Sequence, residues 1–329
     1  MPSARCIALV AAVLAAVPGS AHAGTLPSVP AGGGRPTVVA RVAGASFGAP
    51  CWRADGALAA LAERPNLGWR FGTFRVGSKP RWRAPAEEVI SAYFAPGCEL
   101  VAEVHYGFAD DREGHGGVLV RDAAGQELTR VETVEPGEPE TVVWSPDGSR
   151  FAVVMWERST LETLRVIDAR SGRVLARRRA EGTELATQAF SPDGGALVFT
   201  ESDRLLVHDV LTGKARVLAG RGDGRTFRSP AWSPKGDRIA AVNTGGGIEL
   251  LDPALGHGPA LATASLFTEE IAWAPDGASL ALLYTRRNRQ GLALVAAAPG
   301  ARPRRVLTPA RFMQVPVWSP DGSAVAATR

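Results

Sequence analysis

An aromatic residue followed by a Ser-Pro-Asp-Gly turn recurs along this chain at a spacing that few architectures share. Trp144-Ser145-Pro146-Asp147-Gly148, Phe190-Ser191-Pro192-Asp193-Gly194, Trp273-Ala274-Pro275-Asp276-Gly277 and Trp318-Ser319-Pro320-Asp321-Gly322 are the clearest copies, and Trp232-Ser233-Pro234-Lys235-Gly236 carries Lys in place of Asp. Two earlier copies are worn: Trp52-Arg53-Ala54-Asp55-Gly56 lacks the proline, and Phe94-Ala95-Pro96-Gly97-Cys98 has its glycine one place early. Successive aromatics stand 42, 50, 46, 42, 41 and 45 residues apart. Self-similarity at about 40–50 residues belongs to propeller blades rather than to helical or leucine-rich solenoids.

The turn has a mechanical logic. Ser first, Pro second and Gly fourth are type I preferences, because Pro presets φ and the Ser hydroxyl bonds locally; Gly third, as after Phe94, suits type II. A short apolar run follows every turn, beginning near Leu58, Leu100, Phe151, Ala196, Ile239, Leu280 and Val325. These runs are strand-length and too short for helices. Residues 163–168, a turn at Ser171-Gly172 and residues 173–176 then supply two further strands in one unit. The expected fold is all-β, a single propeller over residues 37–329 built of four-stranded antiparallel blades, seven of them, with six as the alternative. Trp52, Phe94, Trp144, Phe190, Trp232, Trp273 and Trp318, with Asp147, Asp193, Asp276 and Asp321, are structural on this reading, because they recur at fixed positions of the repeat.

The signature resembles the TolB-type β-propeller repeat of bacterial envelope proteins, which also occurs in the propellers of prolyl-oligopeptidase-like enzymes. It covers the chain from about Pro50 onward. The resemblance implies the fold and is weak for function, since propellers host many unrelated activities. Neither the N-terminal α/β domain of TolB nor a peptidase domain is expected here.

The N-terminus is basic at Arg5, apolar over residues 6–17 and reaches Ala21-His22-Ala23, the pattern of a secretory signal peptide cleaved after Ala23. About a dozen apolar residues is short for a membrane span, so none is expected after cleavage. Losing the leader's single Arg takes the formal charge of +4 to about +3, which is no nucleic-acid footprint. Cys51 and Cys98 remain, at different offsets from their aromatics, and an oxidising compartment leaves a disulfide or two free thiols open.

Closing the ring is the main topological question, because open sheet edges invite aggregation. Residues 37–42 end ten residues before Trp52, and residues 305–308 end ten before Trp318. That shared offset makes 37–42 the outermost strand of the seventh blade. A third strand must then come from residues 24–36, a linker or irregular closing strand, although Pro27 and Pro30 each remove a ladder donor.

Motifs that carry chemistry are sparse. Gly44-Ala45-Ser46-Phe47-Gly48 matches a nucleophile-elbow pattern without its strand–helix context and reads as a loop. His105, His115, His208 and His257 show no metal spacing, and His208 reads as an ordinary strand residue. No catalytic residue, metal set or cofactor is expected. The more suggestive pattern lies on the face opposite the Ser-Pro-Asp-Gly turns. Acids there, among them Asp110, Asp111 and Glu157 with His115 beside them, come from units two to four, and Arg225, Arg228, Arg286, Arg287 and Arg289 from the loops of units four to six. A dipolar face orients a charged partner and speeds its encounter. The expected function is therefore a monomeric, non-enzymatic scaffold, periplasmic or secreted, that binds an envelope or extracellular protein. The alternative is a small-molecule hydrolase or lyase with a metal or polar site in the central channel.

Overall fold

Each Ser-Pro-Asp-Gly turn is closed by its own side chains. After Trp144, the Gly148 N–H donates to the Ser145 carbonyl at 2.9 Å, while Ser145 Oγ donates to Asp147 Oδ1 at 2.6 Å and accepts the Arg150 N–H at 3.0 Å. Ser191 with Asp193 and Ser319 with Asp321 repeat the bond at 2.5 and 2.6 Å. The serine hydroxyl holds the carboxyls of Asp147 and Asp321 down at about 2. Where Lys235 replaces the aspartate, Ser233 Oγ finds Asp237 Oδ1 instead, at 2.7 Å. The early glycine of the Phe94 copy makes the expected type II turn, with Gly97 at φ +79° and ψ −7°.

Those turns lead into the second strands anticipated from the apolar runs: Leu58–Arg64, Leu100–His105, Arg150–Arg158, Ala196–Glu201, Ile239–Asn243, Ser279–Arg286 and Ala324–Ala326. The computed structural model describes residues 24–327 apart from 33–36, 43–45, 65–67, 76–77, 87–88, 106–115, 134–138, 140, 159–160, 183, 203, 221–224, 262, 264–265 and 311–315. The expected signal peptide lies outside these described residues, among which no helix is long and apolar enough to cross a membrane. Among the described residues seven antiparallel sheets form, six of them with four or more strands. The fifth has three, Phe227–Trp232, Ile239–Asn243 and Ile248–Leu251, and a lone bridge from Glu249 to Ala260 stands at its fourth position.

Blades pack face to face, so a second strand buries both of its faces. In blade six, Leu280, Leu282 and Tyr284 join Val242, Ile248 and Leu250 of blade five in one core, while Ala281 and Leu283 join Trp318 and Val325 of blade seven in the next.

Tryptophans tie the blades together at the axis. Trp144 Nε1 donates to the Tyr93 carbonyl at 2.8 Å, Trp273 to Ala231 at 2.9 Å and Trp318 to Ala272 at 3.0 Å, and each acceptor immediately precedes the aromatic of the previous blade. Trp52 makes the same bond to the Val317 carbonyl at 3.1 Å, which joins blade one to blade seven. Trp232 departs from the pattern and bonds the Gly236 carbonyl of its own turn at 3.3 Å.

Blade seven runs outward as Val317–Trp318, Ala324–Ala326, Gly24–Pro30 and Thr37–Val42. The proline difficulty is met by irregular pairing: the register against Thr37–Val42 shifts between Leu26 and Pro27, and Pro30 ends its strand. A missing N–H is tolerated at a bulge or a strand end.

Cys51 and Cys98 form a disulfide between blades one and two, with Cα atoms 6.0 Å apart. Unequal sequence offsets suggested a wider separation. Cys98 closes that gap by taking φ +63°, the left-handed position that glycine holds in the other turns.

Two stability measurements test this frame. Trp52→Phe should cost about 1–2 kcal/mol in urea unfolding, the worth of a partly buried hydrogen bond plus lost packing, and Trp232→Phe distinctly less. Equal losses would show that the inter-blade bond carries nothing special. Removing the disulfide as Cys51→Ala with Cys98→Gly, glycine being suited to the positive φ, should cost roughly 2–4 kcal/mol for its 47-residue separation.

Candidate functional site

The second and third strands of blade six, Ser279–Arg286 and Arg289–Ala296, pair up to Arg286 opposite Arg289. Arg287 and Asn288 are left as a two-residue turn with φ +50° and +61°. Positive φ at both centres is the type I′ geometry that follows strand twist; asparagine suits it, and arginine is strained there. The turn exposes Arg286, Arg287 and Arg289. With Arg305 of the fourth strand, Arg304–Ala310, and with Tyr284, they line a depression of about 370 Å³. Gly291 makes room for the Tyr284 side chain, since a Cβ there would stand 2.6 Å from the Tyr284 hydroxyl. Among the described residues none of these four guanidiniums meets a carboxylate.

The remaining residues singled out in the sequence are placed differently. Arg225 Nη1 lies 3.1 Å from Glu249 Oε2, and its guanidinium sits 5.4 Å from the Phe227 ring centroid. Arg228 donates to the Thr268 carbonyl at 2.5 Å and lies 4.6 Å from the centroid of Phe267. Among the described residues both are thus held by neighbours, unlike the three on the turn. Glu157 belongs to strand Arg150–Arg158, and Asp110, Asp111 and His115 lie outside the described residues. Ser46 and Phe47 form a short strand of blade one rather than the expected loop. His208 is buried, and neither ring nitrogen has a hydrogen-bond partner among the described residues. Burial pushes its pKa down, so it packs as a neutral ring.

A second polar group, unforeseen in the sequence reading, joins the inner strands of blades five and six, Phe227–Trp232 and Phe267–Trp273. Both strands are irregular, between Arg228 and Ala231 and between Thr268 and Glu270. Ser229 sits in the left-handed region at φ +47°, and its Oγ donates to the Glu269 carbonyl at 2.8 Å. The Glu269 carboxylate accepts from Thr285 Oγ1 at 2.5 Å and Gln290 Nε2 at 2.6 Å. Burial pushes the Glu270 carboxyl up to about 7, against the nearby Ser229 hydroxyl and the charge of Arg228. A signal was present: three places before the seven aromatics stand Ala49, Ser91, Thr141, Thr187, Ser229, Glu270 and Val315, with a carboxylate at one alone.

Because the folded state holds the Glu270 proton above the ordinary carboxyl value of 4.5, its contribution is intact below pH 4.5 and is lost as pH rises towards 7. Glu270→Gln should therefore flatten the fall in stability across that window. Parallel pH–stability curves for the two proteins would show that this carboxyl titrates normally.

Comparison with known proteins supports the fold. The TolB beta propeller domain family matches residues 83–326. No curated protein matches the chain. Among solved structures, a TolB of Agrobacterium tumefaciens is 17% identical, with 94% of this chain and 99% of that one covered at a TM-score of 0.55. An oligogalacturonate lyase in complex with manganese is 14% identical, covering 93% and 96% at 0.66. A chain of a Mitotic Checkpoint Complex is 13% identical, covering 86% and 90% at 0.64. Identities this low establish shared architecture alone. With the family matched over most of its length and its repeats built as antiparallel blades, the chain belongs to the TolB beta propeller domain family.

Proposed function

We propose that this propeller is a non-enzymatic scaffold of the bacterial envelope, periplasmic or secreted after cleavage at Ala23, which holds a protein partner on the face bearing the blade-six hairpin. The observation that carries this reading is the display of Arg286, Arg287 and Arg289 on a tight turn with no carboxylate beside them among the described residues. Exposed charge of one sign attracts and orients an oppositely charged surface. Arg225 and Arg228 flank the hairpin in this proposal, and the acids Asp110, Asp111 and Glu157, with His115, are further contacts to test by substitution.

Affinity capture from native envelope extract with residues 24–329 as bait tests it. A specific, salt-sensitive partner should be retained by the parent protein and lost with Arg286→Glu, Arg287→Glu and Arg289→Glu together, in a variant whose thermal unfolding is unchanged. Undiminished capture by that variant, or no partner at all, overturns the proposal.

One observation favours a second reading, small-molecule chemistry at the propeller axis. A carboxyl that titrates near 7 beside a serine hydroxyl is suited to general acid–base work. Turnover of a small substrate that is abolished by Glu270→Gln and survives in the triple arginine variant would install this reading in place of the first.

A further inference from the structure

We propose that the depression on blade six is an oxyanion subsite that takes two neighbouring carboxylates from an acidic segment of the partner, an assignment that rests on the protein-binding role proposed above. Four guanidiniums surround a space of about 370 Å³, a volume at the lower end of ligand clefts, with room for a short run of side chains. Arginine forks match carboxylates two bonds at a time, which a lysine ammonium cannot do.

Among the described residues several arginines elsewhere face a carboxylate, and what marks the depression is that four that do not are gathered around it. Arg121 lies 3.1 Å from Glu103, Arg178 2.7 Å and Arg204 2.5 Å from Glu201, and Arg225 3.1 Å from Glu249. Arg286, Arg287, Arg289 and Arg305 have no such neighbour among the described residues. Two features of the backbone serve the arrangement. Arg287 is held at φ +50°, and Gly291 leaves the space that Tyr284 fills. Arg305 reaches the same side from the outer strand, where it pairs with Ala293, a core neighbour of Tyr284.

The ligand class follows from this distribution. The forks come from three places on the backbone: the turn, the paired strand ends Arg286 and Arg289, and the outer strand. Four forks in one depression offer more paired donors than one carboxylate can accept and so fit two on successive residues, whereas a single compact phosphate is better cradled by converging backbone N–H groups.

Calorimetric titration of the whole mature protein tests the subsite, with a capped Asp-Glu-Asp-Glu tetrapeptide, its Asn-Gln-Asn-Gln counterpart and pyrophosphate as probes. The acidic peptide should bind, weaken with added salt, and lose roughly tenfold or more in affinity in Arg286→Gln/Arg289→Gln and in Arg305→Gln. Arg170→Gln, an exposed position between the third and fourth strands of blade three, should bind it unchanged. No binding, equal binding of the amide peptide, tighter binding of pyrophosphate or full affinity in Arg305→Gln overturns the assignment. Peptide binding without a captured envelope partner would keep the subsite and remove the scaffold reading. Capture that depends on the three arginines, without peptide binding, would do the reverse.

Discussion

The indole-to-carbonyl bond between neighbouring blades is the contact on which the ring depends. A single four-stranded sheet has too little core to stand alone, so each blade is stable only against its neighbours. Four tryptophans provide a directional tie at the crowded axis, and the bond from Trp52 to Val317 brings the two ends of the propeller together. Junctions without this tie carry other cross-links. Phe94 has no N–H to donate, and the Cys51–Cys98 disulfide spans that junction. Phe190 has none either; there the Leu185 N–H meets Glu162 Oε2 at 2.6 Å, and Arg178 reaches Glu201. Trp232 turns its indole to its own turn, and Arg216 of blade four bonds the Pro253 carbonyl of blade five.

Blades five and six are joined at their inner strands by three side-chain hydrogen bonds. The Trp273 indole, the Ser229 hydroxyl and the Arg228 guanidinium all bridge their inner strands. Two irregular strands and a serine at positive φ are held in place by these bonds, which is how strain persists in a folded chain. Anchoring of this kind gives the hairpin of blade six a rigid base, and rigid placement reduces the ordering cost of binding.

Local rules explain why so much of the architecture could be read from sequence. The turn signature, the apolar runs and the ten-residue offset of residues 37–42 each express a short-range preference, and each reappears as a turn, a second strand or the closing edge. What escaped depends on distances that spacing does not encode. Cys98 meets Cys51 across the junction of two blades, from a left-handed turn position. Arg225 and Arg228 looked equivalent to the hairpin arginines as charges, yet Glu249 and Thr268 hold them through contacts that cross strands and blades. Arg305 joins Arg289 only because two antiparallel strands bring them to one side, and Glu270 stands out only once the inner strands are aligned by their aromatics.

Charge placement adds a last step. With 33 acidic residues in the chain, carboxylates are not scarce, and several arginines of the blades have found one. Gathering four guanidiniums without a counter-charge among the described residues leaves mutual repulsion in the folded state, and Arg287 adds backbone strain. Both terms oppose folding, so this corner of blade six is less stable than a neutral hairpin would make it. A ligand bearing two oxyanions relieves the repulsion directly, and what binds only the folded state must stabilise it. Binding at the hairpin and stability of blade six are on this argument one linked equilibrium, in which the energy stored by unpaired charge becomes the drive for recognition.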